Sequence, residues 1–258
     1  MNYIMISGHN EKHLSKIDKI DGVIMLNLED GVPKDKKRIA LKNIIEILEK
    51  GVQKEIVVRI NSLEETGLNE IIELNRFNIP IRIPKVKNIN DLDRVFDLTD
   101  NEIHLSIETK ESFFNLRSFK NQQITKFYLG ILDLFDDLKL SHNLITLNSA
   151  LVEKILVDFV LNSLYLDKEP IGFVYQEYKN LETFREWCNI QKNLGLKGVG
   201  TITPKQLEIA NQVFSIDNEE IELAKMIVEK FEKDGSFTFN GLYIDEPIYK
   251  NYLMKLKG

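Results

Sequence analysis

The chain has 258 residues, 43% of them hydrophobic, which is enough for one large buried core. Its 40 acidic side chains outnumber 34 basic ones, and the formal net charge of -6 argues against a nucleic-acid partner. No apolar run approaches the roughly 20 residues of a bilayer span, the N-terminus has no signal-peptide pattern, and a lone Cys188 excludes an internal disulfide framework. A cytoplasmic protein with no membrane contact is expected.

Short apolar, β-rich runs alternate with helix-like segments along the whole chain, the pattern of βαβ units. Ile4 to Gly8 and Val23 to Asp30 read as the first two strands. Lys36 to Lys50 then reads as a helix, with Ile39, Leu41, Ile44, Ile45 and Leu48 apolar among charges and Gly51 placed to end it. Ile56 to Arg59 is a third strand, Leu68 to Arg76 a helix, and Ile81 to Lys85 a fourth strand. Ile89 to Leu98 is read as helical with Asn90 as its N-cap. Ile103 to Glu108 and Phe127 to Asp133 are strands on either side of a helix over Glu111 to Phe119.

Ala150 to Leu164 is a strongly apolar helix, and Ile171 to Tyr175 is read as the seventh strand. Leu181 to Leu194 is a helix that carries Cys188 as a packed thiol, and Gly198 to Ile202 is a weak eighth strand. Asp217 to Lys233 is a helix with Ile221, Ala224, Val228 and Phe231 in one stripe. Asp217 with Glu220 resembles a capping box, and Gly235 stands at the C-terminal stop. Phe237 to Ile244 is a late strand or hairpin. Eight inner strands suit a closed barrel, with an open doubly wound sheet as the other arrangement. No G-x-G-x-x-G follows the first strand, against a dinucleotide site.

The strand ends carry the chemistry. Glu108 and Asp133 close neighbouring apolar strands, so in a barrel both carboxylates reach the same rim. Two hard oxygen donors suit Mg²⁺, which keeps several waters; solvated rim acids are the other reading. Arg59 can grip a carboxylate with its planar fork or pair with a rim acid. Glu29 and Asp30 can pair with Arg59, orient a metal's waters or cap the helix beyond Pro33. Lys85 reads as an ion-pair lysine, a substrate cation or a Schiff-base amine. His9, His13, His104 and His142 have no metal-ligand spacing. His104 reads as packed in its strand, and His9 sits near the rim. No G-x-S-x-G or Cys–His pattern supports a nucleophilic hydrolase.

In this order the pieces become familiar. Ser7-Gly8, Leu28 to Val32, Val58 to Asn61, Ile83 to Val86, Ile107 to Thr109, Leu129 to Leu134, Gly195 to Gly198 and Thr203 to Gln206 run in register with one family. The chain resembles the citrate lyase β-subunit family, grouped with malyl-CoA lyases and metal-dependent 2-keto-hydroxy-acid aldolases. The resemblance implies a (β/α)₈ TIM barrel with a C-terminal extension: one domain over 1–258, with 217–258 as a C-terminal helix and extension. It also implies a carbon–carbon lyase or aldolase that acts on a hydroxy-keto acid or a hydroxyacyl-CoA, with a coenzyme A thioester as one substrate form. Glu108 and Asp133 would hold Mg²⁺ and contact substrate, Arg59 would bind the keto-acid carboxylate, and Glu29 and Asp30 would flank that site.

The resemblance further implies a homo-oligomer, or assembly with partner lyase subunits. Phe237 to Lys257, with Asp245, would then complete its own or a neighbour's site. The chain departs from the family pattern at Leu132, where Glu is frequent, and at Asn27, where Asp is usual. Val199 and Thr203 replace the lysine and histidine of a late Gly-Lys-x-x-Ile-His-Pro motif. These changes fall where the family handles its thioester. They motivate a second reading, a non-catalytic or assembly-dependent barrel subunit of a larger complex. A phosphoenolpyruvate-type phosphotransfer barrel is a third.

Overall fold

Alternating side chains build the sheet of the computed structural model, which describes residues 1–257. The strands are β1 (Tyr3–Ser7), β2 (Val23–Asn27), β3 (Ile56–Arg59), β4 (Ile81–Ile83), β5 (Ile103–Ile107), β6 (Ile124–Leu129), β7 (Glu169–Ile171) and β8 (Gly200–Thr201). Ile4, Ile24, Leu26, Val58, Ile81, Ile103, Leu105 and Phe127 face outward into the large core shared with the helices. The intervening Tyr3, Val23, Met25, Val57, Tyr128 and Ile171 form a separate cluster. Because successive residues of a strand point to opposite faces, this second cluster is the lumen. Each fully buried Ile or Leu contributes about 1.5–3 kcal/mol, so both layers hold the sheet.

The sheet is parallel, with order β7-β6-β5-β4-β3-β2-β1-β8. The seam between β7 and β8 is bridged by backbone bonds, Gly172 N–H to Gly198 C=O at 2.8 Å and Lys197 N–H to Pro170 C=O at 2.9 Å. The result is a nearly closed TIM-like barrel, as expected.

Its helices are α1 (Glu11–Leu14), α2 (Lys37–Glu49), α3 (Gly67–Leu74), α4 (Asp93–Leu98), α5 (Lys110–Phe114), α6 (Ile131–Asp137), α7 (Ala150–Tyr165), α8 (Leu181–Asn193) and α9 (Pro204–Phe214). The chain forms two compact units, Met1–Phe214 and a second that starts at Ser215. The second holds α10 (Asn218–Asp234), β9 (Phe237–Phe239), β10 (Leu242–Ile244) and α11 (Glu246–Lys257). Asn240 and Gly241 both have positive φ, 48° and 80°, as a tight hairpin turn requires. Phe231 stacks on Tyr249 at 4.5 Å, and Lys255 pairs with Glu220.

Several local expectations need correction. The strand run into Asp133 stops at Leu129: Gly130 turns the chain, and Asp133 lies in the first turn of α6. The seventh strand ends at Ile171, where its reading began. The Phe173 N–H bonds to Gln191 Oε1 of α8 at 3.0 Å instead of to a neighbouring strand. Asn88, not Asn90, caps the segment before α4, in a box with Asp91, and its first turn is 3₁₀. Asp217 caps α10 through the Glu219 N–H, while Glu220 turns to Lys255 instead of closing a box.

Candidate active site at the C-terminal strand ends

Arg59 ends β3 on the lumen side, with its Cα in register with Asn27 of β2 and Arg82 of β4. It is only 6% exposed. Its Nη2 contacts the Glu29 carboxylate and lies 3.9 Å from both Asp30 Oδ2 and Glu108 Oε2. Arg59 Nε is buried and has no hydrogen-bond partner. The guanidinium is thus anchored on one side and has an unused donor.

The acidic pair is set by the loop after β2. Asn27 Oδ1 accepts from the Glu29 N–H at 3.2 Å, its amide donates to the Asp30 carbonyl, and the Asp30 N–H donates to Glu29 Oε2 at 2.7 Å. Pro33, not an acidic side chain, precedes the next helical turn, which has no side-chain cap. Glu29 and Asp30 therefore pair with Arg59 rather than cap a helix. Lys85 joins them: its Nζ lies 2.8 Å from Glu29 Oε1 and 3.4 Å from Asp30 Oδ2.

The Lys85 backbone has φ of 57°, a left-handed conformation that strains a residue with a Cβ by about 1–3 kcal/mol. In that conformation its N–H donates to Glu108 Oε1 at 2.8 Å. The strain thus sits beside a buried carboxylate.

Glu108 follows β5 and is 2% exposed. Gly130 makes room for it, since a Cβ there would lie 2.5 Å from Glu108 Cβ and 2.6 Å from Oε2. Glu108, Asp133, Arg59 and Asp30 line one cavity of about 380 Å³, with Ser7, Asn27, Leu132 and Phe173 also in its wall. A larger cavity of about 730 Å³, between β1 and α9, holds none of these four groups. Of the expected site residues, all five therefore belong to one constellation, with Glu29 behind Arg59. His9 lies outside the cavity wall, its Nδ1 buried without a partner. His104 is packed below, bonded to Tyr128 and Glu102.

Electrostatics divide the acids. Burial raises the Glu108 carboxyl above its usual range; the Arg59 and Arg82 charges oppose this, and Asp133 and Glu29 add to it. Burial would raise Glu29 too, but Arg59, Lys85 and the Asp30 amide together bring it below the usual range. Asp30, 60% exposed at its side chain, is raised by partial burial and by the Glu29 charge. Arg59 and Lys85 are both held more firmly protonated by the surrounding acids, despite burial.

Arg82 also lines the cavity and is not among the residues expected there. It lies inside an apolar triplet, Ile81-Arg82-Ile83, and period-two alternation is the signal that would have placed it in the lumen. It is 4% exposed.

The HpcH/HpaI aldolase/citrate lyase family matches residues 6–204, the stretch that contains every group just described. This chain belongs to that family. It is 28% identical over 259 residues to a (3S)-malyl-CoA thioesterase of Cereibacter sphaeroides, covering 96% of this chain and 88% of the relative. It is also 28% identical to the citrate lyase subunit beta of Haemophilus influenzae, covering 95% and 91%. The CitE protein of Mycobacterium tuberculosis, solved with magnesium, acetoacetate and coenzyme A, has the same fold. The TM-score is 0.80 at 17% identity, over 100% of this chain and 98% of that one. The family thus spans lyases, aldolases and a related thioesterase.

Proposed function

We propose that this chain is a Mg²⁺-dependent carbon–carbon lyase of the aldolase type, acting on a hydroxy-keto acid or a hydroxyacyl-coenzyme A thioester. The observation that carries this reading is the meeting of Arg59, Glu108 and Asp133 around one cavity at the strand ends. Glu108 and Asp133 would hold the cation. Glu108 is deeply buried, it accepts one hydrogen bond, from Lys85, and burial holds its carboxyl above the usual range. Arg59 stands 3.9 Å from that carboxylate without a hydrogen bond to it, and a divalent ion would supply the close positive charge that its burial calls for. Among the described residues no third His, Cys, Asp or Glu joins the pair, which fits an ion that keeps several waters.

Bound Mg²⁺ would polarise the substrate oxygen beside the carboxylate and stabilise the negative charge that develops during cleavage. The protein's own groups do the rest. Arg59 orients the substrate carboxylate from the cavity wall, while Glu29, itself paired with Lys85, keeps the guanidinium fixed. A misplacement of about 1 Å there would cost on the order of 100-fold in rate. Asp30, at the exposed mouth, accepts the hydroxyl proton as the adjacent C–C bond breaks, and the bond's electron pair passes to the enolate of the leaving half, which then takes up a proton. Leu129, Ile131, Leu132, Phe173 and Val174 give the apolar wall that limits water.

The test supplies a panel of hydroxy-keto acids and hydroxyacyl-CoA thioesters and measures keto acid and free thiol separately, with Mg²⁺ or with chelator. The expected result is Mg²⁺-dependent release of pyruvate, oxaloacetate or glyoxylate without free thiol. Release of thiol without keto acid would instead place the chain with its thioesterase relative and contradict the lyase reading.

A further inference from the structure

Two guanidinium groups enter the cavity from neighbouring strands, and only one has acidic partners in contact. Arg59 touches Glu29 and has two more carboxylates at 3.9 Å. Arg82 has no carboxylate within 4.0 Å among the described residues, although it is 4% exposed. A buried cation is normally paired, because leaving water is costly for a charge.

The neighbours of Arg82 are neutral and hold it in place. Its Nε donates to Ser106 Oγ at 2.9 Å, and Nη1 donates to Tyr3 Oη at 3.1 Å. Its carbon centre lies 4.3 Å from the Tyr128 ring centroid and 5.8 Å from that of Tyr3. Tyr3 is itself seated by Gly200, where a Cβ would lie 2.4 Å from its hydroxyl. Nη2 donates to none of the described residues and is not among the fully buried orphan atoms. The fork is therefore fixed on one edge and open on the other, in the wall of the cavity that holds Glu108 and Asp133.

We propose that Arg82 is a specificity-determining residue that binds a second carboxylate of the substrate, so that the enzyme favours a keto dicarboxylate over a keto monocarboxylate. This rests on the lyase reading and names its substrate class. Arg59 and Arg82 are Cα partners on β3 and β4, strands that run about 4.8 Å apart, so two cations present to one short dicarboxylic acid. A guanidinium fork matches a carboxylate in a way that a neutral lumen would not. A site built around a buried charge also penalises a ligand that leaves the charge unpaired.

Calorimetric titration of the full chain with Mg²⁺, using oxaloacetate and pyruvate as probes, tests the assignment. Wild type should bind oxaloacetate at least about 10-fold tighter than pyruvate. Arg82→Gln should bring the two within about 3-fold while pyruvate binding holds. Tyr3→Phe, which keeps the ring and removes one anchor, should lower the preference by a smaller factor, and it keeps the proposal testable if Arg82→Gln does not fold. An equal loss for both probes, or an unchanged preference in the variants, overturns the role of Arg82. Wild type that binds pyruvate without favouring oxaloacetate overturns Arg82 alone; wild type that binds neither keto acid overturns the lyase reading as well.

Discussion

Below the cavity, His104 sits in the lumen between an aromatic and an acid. Its Nδ1 meets Tyr128 Oη at 3.2 Å and its Nε2 meets Glu102 Oε1 at 2.9 Å. Burial lowers its proton affinity, although Glu102 pulls the other way. The hydrogen bond from His104 lowers Glu102 to about 2. Both folded values lie below the unfolded ones, so in acid the unfolded chain binds more protons. The His104 contribution to stability is fully present above about pH 6.5 and is lost as pH falls below it. The Glu102 contribution is lost lower, between about 4.5 and about 2. We therefore expect the urea midpoint to fall between about pH 7.5 and about pH 5.5, and His104→Asn to flatten that fall. An equal fall in the variant would contradict this account of His104.

At the scale of elements, the turn from β6 into α6 decides the site. Gly130 lets β6 pass Glu108 closely, and the helix that follows brings Asp133 to the same cavity. Gly130→Ala would place a Cβ 2.6 Å from Glu108 Oε2. The expected outcome is a folded protein by circular dichroism with at least about 10-fold weaker Mg²⁺ binding, because the clash with both Cβ and Oε2 of Glu108 displaces the residue, backbone included. Unchanged metal affinity would show that this contact is slack. The same turn marks where sequence reading ran out. Leu129 to Asp133 is apolar until its last residue, so a strand and the first turn of a buried helix look alike. The seventh strand was misplaced for a similar reason, since a side chain of α8, Gln191, replaces the strand partner at Phe173.

Across the whole molecule, the barrel was legible because parallel strands buried on both faces read as apolar runs, and here five of the eight runs, the second to the sixth, end on a charge. Arg59, Glu108, Glu29 and Asp30 were legible from those ends. Arg82 was not, because its role depends on Tyr3, Ser106 and Tyr128, which lie on strands far apart in the chain. Glu108 and Asp133 are proposed to share one divalent ion at the mouth of the barrel. The most direct test is titration of the purified chain with Mn²⁺ as a paramagnetic stand-in, displaced by Mg²⁺. We predict a single Mg²⁺-competed site in wild type, weakened at least about 10-fold by Glu108→Gln and by Asp133→Asn separately. Mn²⁺ binding that survives both substitutions unchanged, or no Mg²⁺-competed site in wild type, would contradict it.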